Sequence, residues 1–342
     1  MLGTLSSVHA QELSFKGKTI TVVIPFSAGG STDLFARSIA NKLNTVLPGN
    51  PTVKPVNMTG GGGVLGSNYV YNSAVTDGTM ILINAVMPWY QIMGDATVRY
   101  DVRKSPILAT FGEPEAIYVS KESGIGSAEQ LIDRKEVVRA AALSPNNTKS
   151  VFFNLMARLM NYETKVINGY PGGPEMRLAV QRGEAQIGME TLSGFFGGIL
   201  QNKAFLPIMQ SGIATSDGKY ISDPRLKEYN LPTMFEVVEK KFGAKIWETT
   251  AGKALGTVVD VYDVLRTVSA PPNTDPRAVA ALRNAMNSIL NDPNFQAEAS
   301  KINGYQVTFK LGEESQVFID KMMLRLEKDQ EVIKLLQEIT KK

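Results

Sequence analysis

The chain has 342 residues, a formal net charge of +3, 43% hydrophobic and 20% charged residues, and no cysteine. That length allows two domains or one large one, and the lack of cysteine excludes disulfides, thiolate metal sites and cysteine nucleophiles. With one histidine, His9, a histidine triad or multi-histidine metal site is ruled out; no basic block suits nucleic acid, and no apolar run approaches the roughly 18 residues of a membrane span.

At the N-terminus, Val8-His9-Ala10 before Gln11 resembles a signal-peptidase site with small residues at −3 and −1. Residues 1–10 then read as the remnant of an export signal whose start lies upstream. The other reading is a frayed cytoplasmic N-terminus. From residue 19 strand and helix alternate. Ile20 to Ile24 form a β-branched, apolar strand that stops at Pro25. The loop Ser27-Ala28-Gly29-Gly30 follows, then apolar residues at helical spacing, Ala36, Ile39, Ala40 and Leu43.

Residues 51–59 predict a second strand, tempered by Pro51 and Pro55. A four-glycine run and a short helix from Asn68 to Ala74 come next, and residues 79–85 predict a third strand. A second α/β unit begins after residue 110. Its strands fall near 116–120, 137–144, 164–168 and 185–191, and its helices near 151–160 and 177–183. The spacing Ser127 to Gln130 predicts a capping box opening a helix. Residues 216–256 read only as loops and short elements. Asp275-Pro276 and Asp292-Pro293 each place a cap and a proline before a helix, and a single amphipathic helix is expected from about Glu314 to Ile339. The alternation predicts mostly parallel, doubly wound sheets.

Gly61-x-Gly63-x-x-Gly66 matches the dinucleotide fingerprint only weakly. It follows the second strand rather than the first, and no acid stands at the ribose-binding distance. Another reading covers four loops together, 27–33, 60–67, 144–150 and 170–175. A glycine loop at a helix start offers free N–H groups and the positive end of the helix dipole, which suits an anion. Each loop alone can equally be a tight strand-to-helix turn.

The stretch 18–43 resembles the opening of the tripartite tricarboxylate transporter solute-binding proteins of the Bug or TctC type. Pro25, Phe26, Gly29, Gly30, Asp33, Ala36 and Arg37 carry the match. Three further signatures lie in family order: "GGGGVLGSNYVYNSAVTDGTMILIN", "GYPGGPEMRLAVQRGEAQIG" and "SAPPNTDPRAVAALRNAMNSILNDPNF". The resemblance implies a type II periplasmic binding protein fold, two α/β lobes around a ligand cleft. The lobes would comprise residues 11–110 with 263–342, and 111–262, with crossovers near 104–117 and 257–269.

By the same resemblance, the protein is an extracytoplasmic, periplasmic binding protein that closes like a Venus flytrap on a small carboxylate. It would act as a monomer, pass the ligand to membrane transporter subunits, and use no cofactor and no metal. An enzyme or a sensor partner on the same fold is the alternative. The site implied in the first lobe is Ser27, Ala28, Gly29, Thr32, Asp33, Gly63, Val64 and Ser67, with Asn84, Ala85 and Val86 after the third strand. Asp33 would act there by capping its helix or holding a water. In the second lobe it is Ser144, Asn146, Asn147, Thr148, Tyr170, Gly172, Gly173, Glu190 and Thr191. Glu190 is out of place in a simple carboxylate site; it would meet a ligand amine or point away.

Overall fold

The computed structural model describes residues 13–341 except 30, 171, 216 and 217. The signal-like stretch 1–10 therefore lies outside the described residues. Strand β1 (Thr19–Ile24) buries Ile20, Val22, Val23 and Ile24 completely, so it forms in the middle of a sheet covered on both faces. Helix α1 (Ser31–Val46) lays Phe35, Ile39 and Leu43 on that sheet at the predicted spacing. Strand β2 (Thr52–Asn57) pairs parallel to β1. It is an edge strand, which is where Pro55 costs no ladder bond. Helix α2 (Val64–Tyr71), strand β3 (Met80–Ala85), helix α3 (Met87–Ile92) and strand β4 (Ile107–Gly112) complete the first passage.

The chain then enters a second sheet at β5 (Glu115–Ser120), two residues after leaving β4. There follow β6 (Val138–Ala141), α4 (Thr148–Met160), β7 (Thr164–Ile167), α5 (Gly173–Gln181) and β8 (Ile187–Thr191). After the short turn α6 (Leu192–Gly194) come β9 (Phe205–Gln210) and a small hairpin, β10 (Ile213–Ala214) with β11 (Tyr220–Ile221). Helices α7 (Met234–Phe242) and α8 (Thr250–Asp263) lead back to β12 (Arg266–Ser269) in the first sheet. The remainder is α9 (Pro276–Leu290), α10 (Pro293–Asn303), β13 (Thr308–Leu311), α11 (Gly312–Lys328) and α12 (Gln330–Ile339).

The six-stranded sheet has the order β13-β4-β12-β3-β1-β2, and the five-stranded sheet β7-β6-β8-β5-β9. Both are mixed rather than mostly parallel. β12 runs antiparallel to β3 and β4, and β5 runs antiparallel to β8 and β9. The cause is the crossing between sheets: a strand arriving from the opposite sheet enters at the end where the local strands finish. On one face of the first sheet α1 and α9 bury Phe35, Ile39, Leu43, Leu282, Met286 and Ile289. Each such side chain stabilises by roughly 1.5–3 kcal/mol.

Four local expectations need correction. Helix α2 begins at Val64 rather than near Asn68, because Gly63 is already its left-handed N-cap. Residues 127–130 form no capping box. The turn is a short 3-10 helix, Ser127 makes no cap bond to its backbone, and Gln130 instead accepts the Gly126 N–H at 2.6 Å. Residues 216–256 hold most of two helices. Helix α7 carries a true capping box, Thr233 with Glu236, a signal present in the sequence. The expected single C-terminal helix is two, broken at Asp329 (φ −114°, ψ 69°).

Candidate functional site

The first loop is organised by Asp33. Its carboxylate accepts the Gly29 N–H at 2.8 Å, the Arg37 Nε at 2.9 Å and the Asn57 Nδ2 at 2.8 Å. Asn57 also donates to the Phe26 carbonyl, and Arg37 Nη2 donates to Asn57 Oδ1. Burial acts to raise the Asp33 pKa, but the bonds from Arg37, Gly29 and Asn57 outweigh it and hold the group below its ordinary value. Asp33 is thus the clasp of its loop, and the Gly29 amide serves that clasp. Gly29 sits at φ +81° with open space where a Cβ would stand, so its conformation alone demands glycine. Thr32 is buried, and Ser27 and Ala28 are exposed.

The second loop is a run of four glycines, Gly60 to Gly63, all at positive φ (145°, 56°, 64° and 102°). No other residue type tolerates that run. A Cβ on Gly62 would collide with the Tyr90 hydroxyl. One on Gly63 would stand 2.7 Å from Asn84 Oδ1 and 3.2 Å from Phe26 Cζ. The two loops therefore touch through Phe26 and Gly63. Gly66 faces Pro25, where a Cβ would come within 2.7 Å. These glycines serve close packing, and the nucleotide fingerprint has no other support.

Behind the loop, Ser67 donates to the Gly63 carbonyl at 2.9 Å and accepts from Asn84 Nδ2 at 2.5 Å, while Asn84 Oδ1 accepts the Ala85 N–H. Ser67, Asn84 and Val64 are all buried, so they shape the loop from inside and do not face a cleft. Ala85 and Val86 are half-buried at its edge. Val86 is a β-branched residue in the left-handed region (φ 50°, ψ 30°), an outlier of the kind that clusters at working sites. Its N–H is pinned to the Leu265 carbonyl at 2.7 Å.

In the second lobe Asn147 caps α4, its side chain accepting the Lys149 N–H at 3.0 Å. The Ser144 carbonyl accepts the Asn147 N–H at 3.1 Å and the Ser150 hydroxyl at 2.6 Å, and Thr148 is buried. The Asn146 carbonyl accepts Trp89 Nε1 at 2.7 Å, which bonds α3 of one lobe directly to the α4 loop of the other. Gly172 is extended. At Gly173 a Cβ would stand 2.8 Å from Glu190 Oε1. Glu190 is buried, and Arg177 Nη1 donates to it at 2.7 Å. Its charge is met within its own lobe and needs no ligand amine. The hydroxyls of Thr191 and Ser193 bond at 2.9 Å, and the Tyr170 hydroxyl pairs with Glu184 rather than with any other loop of this group.

Sequence reasoning missed the charges between the lobes. Glu113, in the link from β4 to β5, is fully buried. Its carboxylate accepts Arg266 Nη1 at 2.7 Å and the Ser193 N–H at 3.2 Å. Arg266 stands opposite Ala85 on β12, its guanidinium 5.5 Å from the Phe35 ring centre. Its Nε is buried and has no hydrogen-bond partner among the described residues. Burial would raise the Glu113 pKa, but Arg266, Tyr305 and Ser193 together bring it below the ordinary value. Nearby, Lys149 pairs with Glu115, where burial prevails and the carboxyl is raised. No local pattern marks these residues, because partners such as 113 and 266 meet only through the fold. Among the described residues no group of acids or histidines could hold a metal ion, and no helix is long and apolar enough to cross a membrane.

The two sheets with their crossings, and the helix N-termini gathered where strands end, define a two-lobed periplasmic binding protein fold. Solved structures share it. A TctC solute-binding protein from Polaromonas aligns with a TM-score of 0.68 at 15% identity, covering 95% of this chain and all of that one. A Rhodopseudomonas palustris protein with adipate aligns at 0.65 and 20% identity, over 93% of this chain and 97% of the other. MatC from the same organism, with bound malate, aligns at 0.60 and 16% identity, over 94% and 98%. No family model matches the chain. In sequence it is 23% identical to protein BugT of Bordetella pertussis over 283 residues, 81% of this chain and 78% of the relative. In sequence and in fold the chain is therefore similar to the Bug and TctC solute-binding proteins. These are binding proteins, not enzymes.

Proposed function

We propose that the protein captures a small carboxylate in the periplasm and hands it to a tripartite tricarboxylate-type membrane transporter. The observation that carries this reading is the four-glycine loop, all at positive φ, packed against the first loop at the start of α2. Such a loop brings backbone N–H groups close to a ligand without a Cβ in the way, and the helix behind it favours negative charge. The starts of α4 and α5 approach from the other lobe. Four helix ends then hold an anion with no cationic side chain in contact, and closure strengthens the field by excluding water.

In this reading the lobes are residues 11–110 with 263–342, and 111–262. Ser27, Ala28, the Gly63 backbone, Ala85, Val86, Ser144, Asn146, Asn147, Gly172, Gly173 and Thr191 reach the ligand. Thr32, Asp33, Ser67, Asn84, Thr148 and Glu190 hold those groups in place. The structures with adipate and with malate support an aliphatic dicarboxylate as the first class to try. The chain works as a monomer.

A thermal-shift screen tests the reading. Ligand at 100 times its dissociation constant stabilises the folded protein by about 2.7 kcal/mol. Adipate, malate and related dicarboxylates should raise Tm by about 2 °C, and the matched diamides should not. If sugars or polyamines raise Tm and no carboxylate does, the reading is wrong.

A further inference from the structure

The segment 218–253 and helices α8, α11 and α12 enclose a cavity of about 670 Å³ that shares no lining residue with the glycine loops. That volume suits a small organic molecule. One wall is aromatic. Tyr220 stacks on Phe235 with ring centres 4.2 Å apart and planes at 9°, and Trp247 leans on Phe235 at 4.6 Å. These rings are fixed in place. The Tyr220 hydroxyl donates to Asp260 at 3.1 Å, Trp247 Nε1 donates to Glu239 at 3.0 Å, and a Cβ on Gly256 would collide with Tyr220.

Among the charged residues of the lining the cations prevail: Lys219, Lys253, Arg325 and Lys328 stand against Glu239 and Asp329. Arg325 is held by Asp260, and Lys253 bonds Asp329 at 3.0 Å. Lys328, exposed at the end of α11, makes no ion pair among the described residues. A rigid ring wall selects flat apolar bodies, and lysines at its rim select negative charge. We propose that this cavity is a second ligand site, for a flat aromatic anion whose ring lies on the Phe235–Trp247 wall and whose charged group meets Lys328 and Lys253. An aliphatic dicarboxylate lacks the ring, and an aromatic cation is repelled by the rim. The proposal stands independently of what the glycine loops bind.

The protein contains two tryptophans, Trp89 and Trp247, which makes the test direct. The ¹⁵N-labelled protein is titrated with 2-naphthalenesulfonate, the two indole N–H signals being assigned with Trp247→Phe. The Trp247 signal should move saturably while that of Trp89, on α3, stays still, and adipate should move Trp247 not at all. Lys328→Glu should weaken the apparent affinity about fivefold, and Trp247→Ala should abolish the heat of binding. Lys328 is exposed and Trp247 is half-buried at the edge of the core, so folding of each variant is checked by Tm. A Trp247 signal unmoved at millimolar probe overturns the proposal. So does movement of Trp89 alone, or full affinity in Lys328→Glu.

Discussion

The four-glycine loop of the first lobe and the second-lobe side of the cleft are built by opposite means. In the first lobe Gly60 to Gly63 achieve their shape by backbone conformation, with neutral Ser67 and Asn84 bracing them from behind. In the second lobe and the link between lobes the shape comes from paired charges, Glu190 with Arg177 and Glu113 with Arg266. A backbone cradle changes little with the ligand's own structure, because every carboxylate presents the same oxygens to N–H groups. Paired side chains can be exchanged together, as a pair. The first lobe is therefore the part suited to a constant recognition task, and the second is where related chains can differ at small cost.

Breaking the charged side gives the largest effect. Arg266→Met leaves Glu113 charged and buried without its opposite charge, and should cost about 3–5 kcal/mol at pH 7.5. The pH dependence has a definite sign. In the wild type the Glu113 pKa lies below its ordinary 4.5, so its stabilising contribution is present above that value and is lost as pH falls through the lower, folded one. In the variant only Tyr305 and Ser193 still oppose burial and the pKa rises, so the deficit should shrink as acid neutralises Glu113. The double variant with Glu113→Gln should recover much of the loss. Urea midpoints between pH 4 and 8 measure all three, and a deficit independent of pH would show that charge is not the cause.

The backbone side comes next. Gly63→Ala should cost about 2–3 kcal/mol, since it combines a left-handed conformation with a Cβ pressed on Asn84. Gly29→Ala has the strain without the clash and should cost about 1 kcal/mol. Equal losses would mean that the close approach at Gly63 is not real. Trp89→Phe removes the bond across the lobes to Asn146 and should lower stability by about 1 kcal/mol, the usual worth of such a bond. Small-angle scattering of this variant should show a more open mean shape.

The smallest effect has the opposite sign. Val86→Asn keeps the left-handed turn at lower strain and should stabilise by up to about 1 kcal/mol. Calorimetry decides it. A destabilised Asn variant would mean that packing of the Val86 side chain outweighs its backbone strain.

Much of this arrangement was legible before any coordinates. The strand at 19–24, the helix after the first loop and the proline-started helices at 276 and 293 are local events, set by β-branching, apolar spacing and capping residues. The glycine loops were legible as helix starts. What they do there was less so. Asp33, Ser67, Asn84 and Glu190 have the polar side chains one looks for in a site, yet all are buried and committed to neighbours. Val86 carries no polar group, and its strain is invisible until φ is known. Within 216–256 the Thr233 and Glu236 spacing is a local helix-start signal, so helix α7 is legible in the sequence.

The sequence by itself determined which segments are strands, where helices begin and which loops require glycine, because those depend on contacts within a few residues. It also carried the family signatures. Only the tertiary structure decided that Glu190 answers Arg177, that Glu113 answers Arg266 and that Trp89 reaches Asn146. Only the fold brings Tyr220, Trp247 and Lys328 around one cavity. Glu113 and Arg266 are 153 positions apart, Trp89 and Asn146 57. A charge or an indole N–H has no preferred partner until the chain has closed and water has been removed, and that choice belongs to the fold as a whole.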